Sequence, residues 1–248
     1  MTEQYLQSPN SLKQIQKDNI IRIFDDNKEL PRKILVLDAI TMSIISLQFL
    51  KSSLYDYQIF DTTNISSITN ISHGNKGYSP IYILEPKEEN IKLLQNQIEQ
   101  SVFKDMKIYF INSITNENIE ILAKTDVNKA TISLVKEIFI GYEALDDGLF
   151  TLMGSKGYKS FLVKQNLKSK REKKILKGIE ESLYSFFLGM REIPSIHYKK
   201  KSDYCKKLAE RLGIKLERDY SQHHTDFHSK KSTNLIIIDR AEDAVSPL

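Results

Sequence analysis

The sequence holds a single cysteine, Cys205, among 248 residues. An internal disulfide is therefore excluded, in agreement with a reducing compartment. No apolar run approaches the roughly 20 residues that a membrane-spanning helix needs, and the polar opening MTEQYLQSPN lacks a signal-peptide core. The expected location is the cytosol. Glycine-rich phosphate loops are missing as well. Asp38-Ala39-Ile40-Thr41 stands where a dinucleotide fold would carry its glycines, and neither G-x-x-x-x-G-K-[ST] nor G-x-S-x-G occurs. These gaps weigh against a nucleotide-handling α/β enzyme, and no cofactor is expected. There is no internal repeat and no low-complexity tract.

What is present is a globular composition, 40% hydrophobic and 27% charged, long enough for a substantial core. The formal charge of +4 is unevenly spread. Residues 1–145 carry 15 Lys+Arg against 18 Asp+Glu, a balance of −3, and residues 146–248 carry 21 against 14, a balance of +7. Two domains with different surfaces follow from that asymmetry.

The chain is organised around KILVLDAITMSIIS, residues 33–46. Ile34 to Leu37 are too few for a helix and read as the central strand of a parallel sheet, buried on both faces. Thr41, Met42, Ile44, Ile45, Leu47, Leu50 and Leu54 then recur at helical spacing and predict a crossover helix. Further strands are expected at 57–61, 80–84 and 107–111, and strand or edge elements over 132–142 and 150–153. Helices are expected before residue 25, around Ile91 to Val102 and around Ile119 to Ala123. The long stretch 62–78 reads as a loop. Beyond Asp146, a basic helix breaks at Gly189, a strand covers 193–198, a helix from Asp203 is capped by Gly213, and NLIIID forms a last strand over 234–239. The expected fold class is thus α/β. A Rossmann-like parallel five-stranded sheet carries helices on both faces, and an incomplete second α/β domain follows. Residues 1–31 form an N-terminal helix and linker, 32–145 the first domain and 146–248 part of a second.

Four features invite chemistry. Asp38 closes a buried strand at the edge where open α/β sheets carry their sites. It lacks the second acid two residues on that would hold Mg²⁺, and its plainer role is to satisfy backbone donors in the next turn. His223, His224 and His228 lie near Asp226 without a cysteine, and adjacent histidines do not easily face one ion, so no metal is expected. Lys168, Lys170, Arg171, Lys173, Lys174 and Lys177 form a dense positive run that suits a solvated helix face or a weak contact with acidic lipid. No aromatic residue is interleaved for base stacking, so nucleic acid is not an expected partner. Ile119, Leu122 and Ala123, at i, i+3 and i+4, share one helical face. By itself such a face reads as one that covers the sheet.

NLIIIDRAEDAVSPL, residues 234–248, resembles the strand-and-turn signature of the Sec/Munc (SM) proteins, cytosolic chaperones of syntaxin and SNARE assembly. Asp239, Arg240, Asp243, Ser246, Pro247 and Leu248 match that pattern, while Ala241, Glu242 and Ala244 depart from it. KILVLDAITMSIIS, PIYILEPKEENI and KIYFINSITNENIEILAK resemble the family's first, third and fourth strands with the elements that follow them. EIFIGYEALDDGLFTLM, IEESLYSFFLGMREIPSIHY and the helix near Gln14 to Phe24 are most similar to the ER-to-Golgi branch. The resemblance implies a non-enzymatic protein of vesicle transport that binds a syntaxin-type SNARE and the SNARE complex, and is held peripherally at ER and Golgi membranes. It implies that the syntaxin N-peptide enters an apolar pocket at Ile119, walled by Leu122, Ala123, Leu134 and Ile138. It also implies that Asp38 and Met42 face the syntaxin helical core. SM proteins are more than twice this length, and strands from their far end complete the second domain. The resemblance thus predicts an open edge on the strand at 234–239 and low stability for residues 146–248.

Overall fold

The computed structural model describes residues 11–70, 77–127, 131–152, 170–223, 227 and 229–239. They form two compact units, Met1–Phe150 and Thr151–Leu248.

The first unit begins with helix α1 (Leu12–Asp26), whose N-cap Ser11 accepts from the Gln14 amide. Strand β1 (Lys33–Leu37) is buried at every residue. It feeds α2 (Ala39–Gln48), a one-turn helix α3 (Lys51–Leu54) and β2 (Ile59–Asn64). The crossover expected as one helix is therefore two, because Phe49 takes an extended conformation between them. Strand β2 runs to Asn64 and a 3₁₀ segment spans Ile65–Asn70, so part of the expected loop is ordered by its own apolar anchors, buried Ile65 and Ile68. Strand β3 (Ser79–Leu84), α4 (Glu88–Glu99), β4 (Met106–Phe110), α5 (Asn116–Thr125) and β5 (Ile132–Glu137) complete the alternation. Glu88 and Glu89 in the first turn of α4 complement its dipole. A hairpin of β6 (Tyr142–Asp146) and β7 (Leu149–Leu152) follows.

The sheet is five-stranded and wholly parallel, in the order β2-β1-β3-β4-β5. The middle place belongs to β3, and β1 lies beside it, a correction to the expectation that β1 is central. Chain direction reverses across the sheet between β1 and β3, which makes their carboxyl ends the switch point. On one face, Ile34, Val36, Tyr82, Leu84, Ile108 and Phe110 pack with Ile91, Leu94 and Ile98 of α4 and Leu122 of α5. At about 1.5–3 kcal/mol for each fully buried large side chain, this cluster is a main source of the unit's stability.

Helix α1 is integral to this unit. Asn27, just past its end, donates to Tyr109 Oη at 2.8 Å, and Lys136 pairs with Asp26 at 2.9 Å. Gln16 is fully buried: its Nε2 donates to the Ile140 and Tyr142 carbonyls, and its Oε1 accepts from Gln48 Nε2 at 2.8 Å. One amide thus joins α1, α2 and β6.

The second unit contains α6 (Lys170–Met190), β8 (Glu192–Tyr198), α7 (Asp203–His223) and β9 (Ser229–Ile237). Helix α6 continues past Gly189, and the turn falls on Arg191, in the left-handed region at φ 57. Helix α7 likewise runs through Gly213, which is not a cap. Leu208, Leu212 and Leu216 keep a buried face across it. Arg211, Lys215 and Asp219 form a second row, directed at α6. Arg211 Nε lies 2.8 Å from Glu180 Oε2, Lys215 Nζ lies 3.8 Å from the Tyr184 ring centroid, and the Tyr184 hydroxyl donates to Asp219. Burial pushes the Lys215 pKa down, against the pull of Glu180, Glu181 and Asp219. Tertiary contacts on both sides of the glycine thus hold the helix together.

Strands β8 and β9 pair in parallel, and among the described residues each has that one neighbour. Two predictions follow from this unit. Gly213→Ala should raise stability by about 1 kcal/mol in urea unfolding, since a Cβ there meets only Ile196 Cδ1, at 3.7 Å. Hydrogen exchange should show β1 and β3 amides protected and alternate β9 amides exchanging much faster, because β9 bonds along one edge.

Candidate functional site

The carboxyl edge of the first sheet is closed by Asp38. Its Oδ1 accepts from the amides of Ile40 (3.0 Å) and Thr41 (2.9 Å) and from Thr41 Oγ1 (3.1 Å). Thr41 Oγ1 accepts in return from the Asp38 amide at 2.9 Å, completing a capping box. Oδ2 reaches across the switch point to the Glu85 amide and to Asn90 Nδ2, both at 2.7 Å. One carboxylate therefore ties the end of β1, the start of α2, the end of β3 and the first turn of α4. A phosphate at this edge would need the same α2 amides, so Asp38 occupies the place of a nucleotide's anion. Asp38 is buried and Met42 half-buried on α2. Of the pair expected to face a partner's helical core, Met42 is thus the more accessible and Asp38 lies beneath the surface.

The opposite structural theme, exposed apolar surface, occurs at α5 and the edge strand β5. Thr115 caps α5 by accepting from the Asn118 amide. Glu117 in the first turn has its pKa lowered, by its own backbone amide first and then by Thr115. Leu122 is 2% exposed and belongs to the core, a correction to its expected place as a pocket wall. Thr125 accepts from Gln95 of α4 at 3.3 Å and marks the side of α5 that faces α4. Ile119 and Ala123, about 60° and 100° around the helix from Leu122 in the other sense, lie on the side of α5 away from α4. Ile119 is 42% exposed, and Ala123 is also exposed.

The register of β5 decides which of its side chains join them. Met106 pairs with Ile132 but Lys107 pairs with Leu134, so an irregularity at Ser133 shifts the alternation by one residue. Leu134 then lies level with Lys107, on the face of Tyr109 and Lys136, which is the α1 face. Leu134 is not beside Ile119, because a one-residue shift sends every later side chain to the other face. Val135, 39% exposed, pairs with Ile108 on the α5 face. Glu137 pairs with Phe110, and its Oε1 accepts the Ile114 amide at 2.7 Å just before α5. Ile138 follows, half-buried, with its amide on the Phe110 carbonyl. The exposed apolar residues on the α5 side of this edge therefore include Ile119, Ala123 and Val135, and Val135 is one that sequence reasoning missed. Only the paired register carries that signal.

Of the signature residues, Asp239 is described. Its Oδ2 accepts from Ser202 Oγ at 2.6 Å, and that oxygen in turn accepts from the Cys205 amide at 3.3 Å. Asp239 thus orients the side chain that caps α7. Arg240, Asp243, Ser246, Pro247 and Leu248 lie outside the described residues, as do Lys168, His224, Asp226 and His228. No metal-ligand group occurs among the described residues, and no described helix is long and apolar enough to cross a membrane.

These observations define an α/β protein whose sheet-end crevice is filled by its own aspartate and whose open edge carries an apolar strip. A sequence model of the Sec1 family matches residues 33–248, and the chain belongs to that family. The chain is 27% identical over 216 residues to "Vacuolar protein sorting-associated protein 45" of Dictyostelium discoideum, covering 87% of this chain and 36% of that protein. It superposes with a TM-score of 0.76 on the SM protein Vps45 in complex with the Qa SNARE Tlg2, at 24% identity, covering 96% of this chain and 41% of the other. It also superposes with a TM-score of 0.76 on Sly1p in complex with an N-terminal peptide of Sed5p, at 22% identity, covering 94% and 42%. The chain spans little more than a third of the length of the Dictyostelium relative.

Replacing Asp38 tests the construction of this edge. Asp38→Ala strands the Glu85 and Thr41 amides and should cost about 3 kcal/mol. Asp38→Asn should cost less, since its amide keeps one acceptor oxygen. Urea unfolding followed by circular dichroism reads both.

Proposed function

We propose that this chain binds the N-terminal segment of a syntaxin-type SNARE at the strip formed by Ile119, Ala123 and Val135, and so regulates SNARE assembly in vesicle transport. The carrying observation is that two large aliphatic side chains from different elements, Ile119 and Val135, stand exposed on one side of the sheet edge. An aromatic or leucine anchor buried there contributes about 1.5–3 kcal/mol. Main-chain bonds to the free edge of β5 would add to it, against the cost of ordering the peptide. The named complexes with Tlg2 and with a Sed5p peptide support a SNARE as the partner.

Met42 on α2 is the contact for the helical core of the same SNARE, and Asp38 fixes the turn that carries it. The transport step that the Dictyostelium relative's name supports is vacuolar protein sorting. The ER-to-Golgi step suggested by residues 137–153 and 179–198 has no specific support among these relatives. The chain reaches the membrane peripherally, through the SNARE, and acts by binding rather than by catalysis.

Titration calorimetry with a synthetic syntaxin N-terminal peptide tests the assignment. Ile119→Asp and Val135→Asp should each weaken binding at least about tenfold, because each places a charge in the apolar contact. Leu134→Ser, on the other face, should leave affinity unchanged. Equal losses at all three positions, or none at Ile119, would overturn the strip.

A further inference from the structure

The amino end of the first sheet carries a side-chain cluster that neither the Asp38 tie nor the proposed SNARE contact uses. Arg32, the residue before β1, is exposed, and its Cζ lies 4.7 Å from the Tyr78 ring centroid and 5.9 Å from that of Phe60. Its Nη2 donates to Tyr78 Oη at 3.2 Å. The Phe60 ring meets that of Tyr55 edge-on, with centroids 6.0 Å apart. Tyr55 is 50% exposed and Phe60 42%. Among the described residues no carboxylate pairs with Arg32.

Backbone register builds this cluster. Lys33 pairs with Ile59 but Ile34 pairs with Asp61, so Phe60 is the extra residue of a bulge in the edge strand β2. A bulge re-aims a side chain, and here it takes Phe60 out of the strand's alternation. Tyr78 is half-buried against the core on the α4 face and gives the guanidinium a fixed support. Tyr55 comes from the 3₁₀ turn before β2. Four segments thus meet at one exposed point, and an arginine among aromatic rings is the composition that concentrates in binding hot spots.

The chemistry of a ligand follows from the cation. Two ring contacts and one hydrogen bond hold the guanidinium, so little of its side-chain freedom is left to lose on binding. The Tyr78 bond uses one of its N–H donors, and two others in a planar fork match a carboxylate. A single cation matches a single negative charge. Asp56 and Asp61, both exposed, follow Tyr55 and Phe60 in the chain and disfavour a doubly charged phosphate.

We propose that this cluster is a docking site for an acidic peptide segment of another protein. A glutamate or aspartate carboxylate of that segment pairs with Arg32, and a neighbouring apolar side chain lies on Phe60 and Tyr55. The site is on the β2 edge of the sheet, opposite β5, and shares no residue with the proposed SNARE contact.

Titration of the isotope-labelled full chain with the blocked peptide Ac-Glu-Leu-Glu-Phe-NH2, followed by heteronuclear NMR, provides the test. The Arg32 Nε–H and the amides around Phe60 should shift, with a dissociation constant of about 1 mM or tighter. Arg32→Glu should abolish these shifts, and Arg32→Lys should weaken binding about tenfold, since lysine has no planar fork. Phe60→Ser should weaken binding several-fold at unchanged salt dependence. The neutral peptide Ac-Gln-Leu-Gln-Phe-NH2 should not bind, which probes the ion pair with the protein unaltered, and a thermal melt confirms that each variant folds. Arg32→Glu should leave the affinity for the syntaxin N-terminal peptide unchanged. Equal affinity for the acidic and neutral peptides, or binding that Arg32→Glu leaves intact, overturns the proposal. Shifts on addition of phosphotyrosine with none from the glutamate peptide also overturn it, in favour of a phosphate site. A sedimentation coefficient that rises with protein concentration, and that Arg32→Glu holds constant, overturns it in favour of a second copy of the chain.

Discussion

Asp38 is the constraint on which the first unit depends. Two parallel strands that feed crossovers in opposite directions must splay at their carboxyl ends, leaving unsatisfied amides and a crevice. Many α/β proteins fill that crevice with a ligand's phosphate. Here a buried carboxylate fills it, with one oxygen on α2 and the other on the end of β3 and on Asn90. The sheet keeps the architecture of a nucleotide binder, while its usual anion site is spent on the protein's own stability.

At the β5 edge, the exposed apolar strip arises from two local conditions. Helix α5 is short and commits Leu122 to the core, leaving Ile119 and Ala123 to one side. Strand β5 slips by one residue at Ser133, so Val135 lies on the α5 face of the sheet and Leu134 on the other. The second unit is built differently. Two long helices are locked by a seam of Glu180, Arg211, Tyr184, Lys215 and Asp219, and its signature aspartate serves a helix cap. A charged seam of this kind fixes the pairing of the helices more than it adds stability, since burial of each charge costs desolvation.

Sequence likeness and physical reading overlap at Asp38 and Ile119 and differ at Leu122, Leu134 and Val135. The resemblance singled out Asp38 and the α5 face, and the geometry gives each a mechanism. Asp38 acts as a buried tie, and Ile119 stands exposed on the face of the sheet that Val135, absent from the resemblance, also shares. The match to the Sec1 family spans residues 33–248 and so takes in both features. The physical arrangement explains what each can do.

The sequence alone determined the alternation of strands and helices, the parallel sheet and the burial of β1, because uninterrupted β-branched runs and helical spacing are local signals. The capping role of Asp38 was legible for the same reason, since its donors at Ile40 and Thr41 are its neighbours in the chain. Tertiary structure decided what no local pattern contains. It set β3 rather than β1 at the centre, reached from Asp38 to Glu85 and Asn90, and carried α7 through Gly213 on contacts with α6 and β8. It also turned Val135 outward in place of Leu134. In each case the deciding partner lies on another element, and a periodicity of two or of 3.6 carries no record of a neighbour's register.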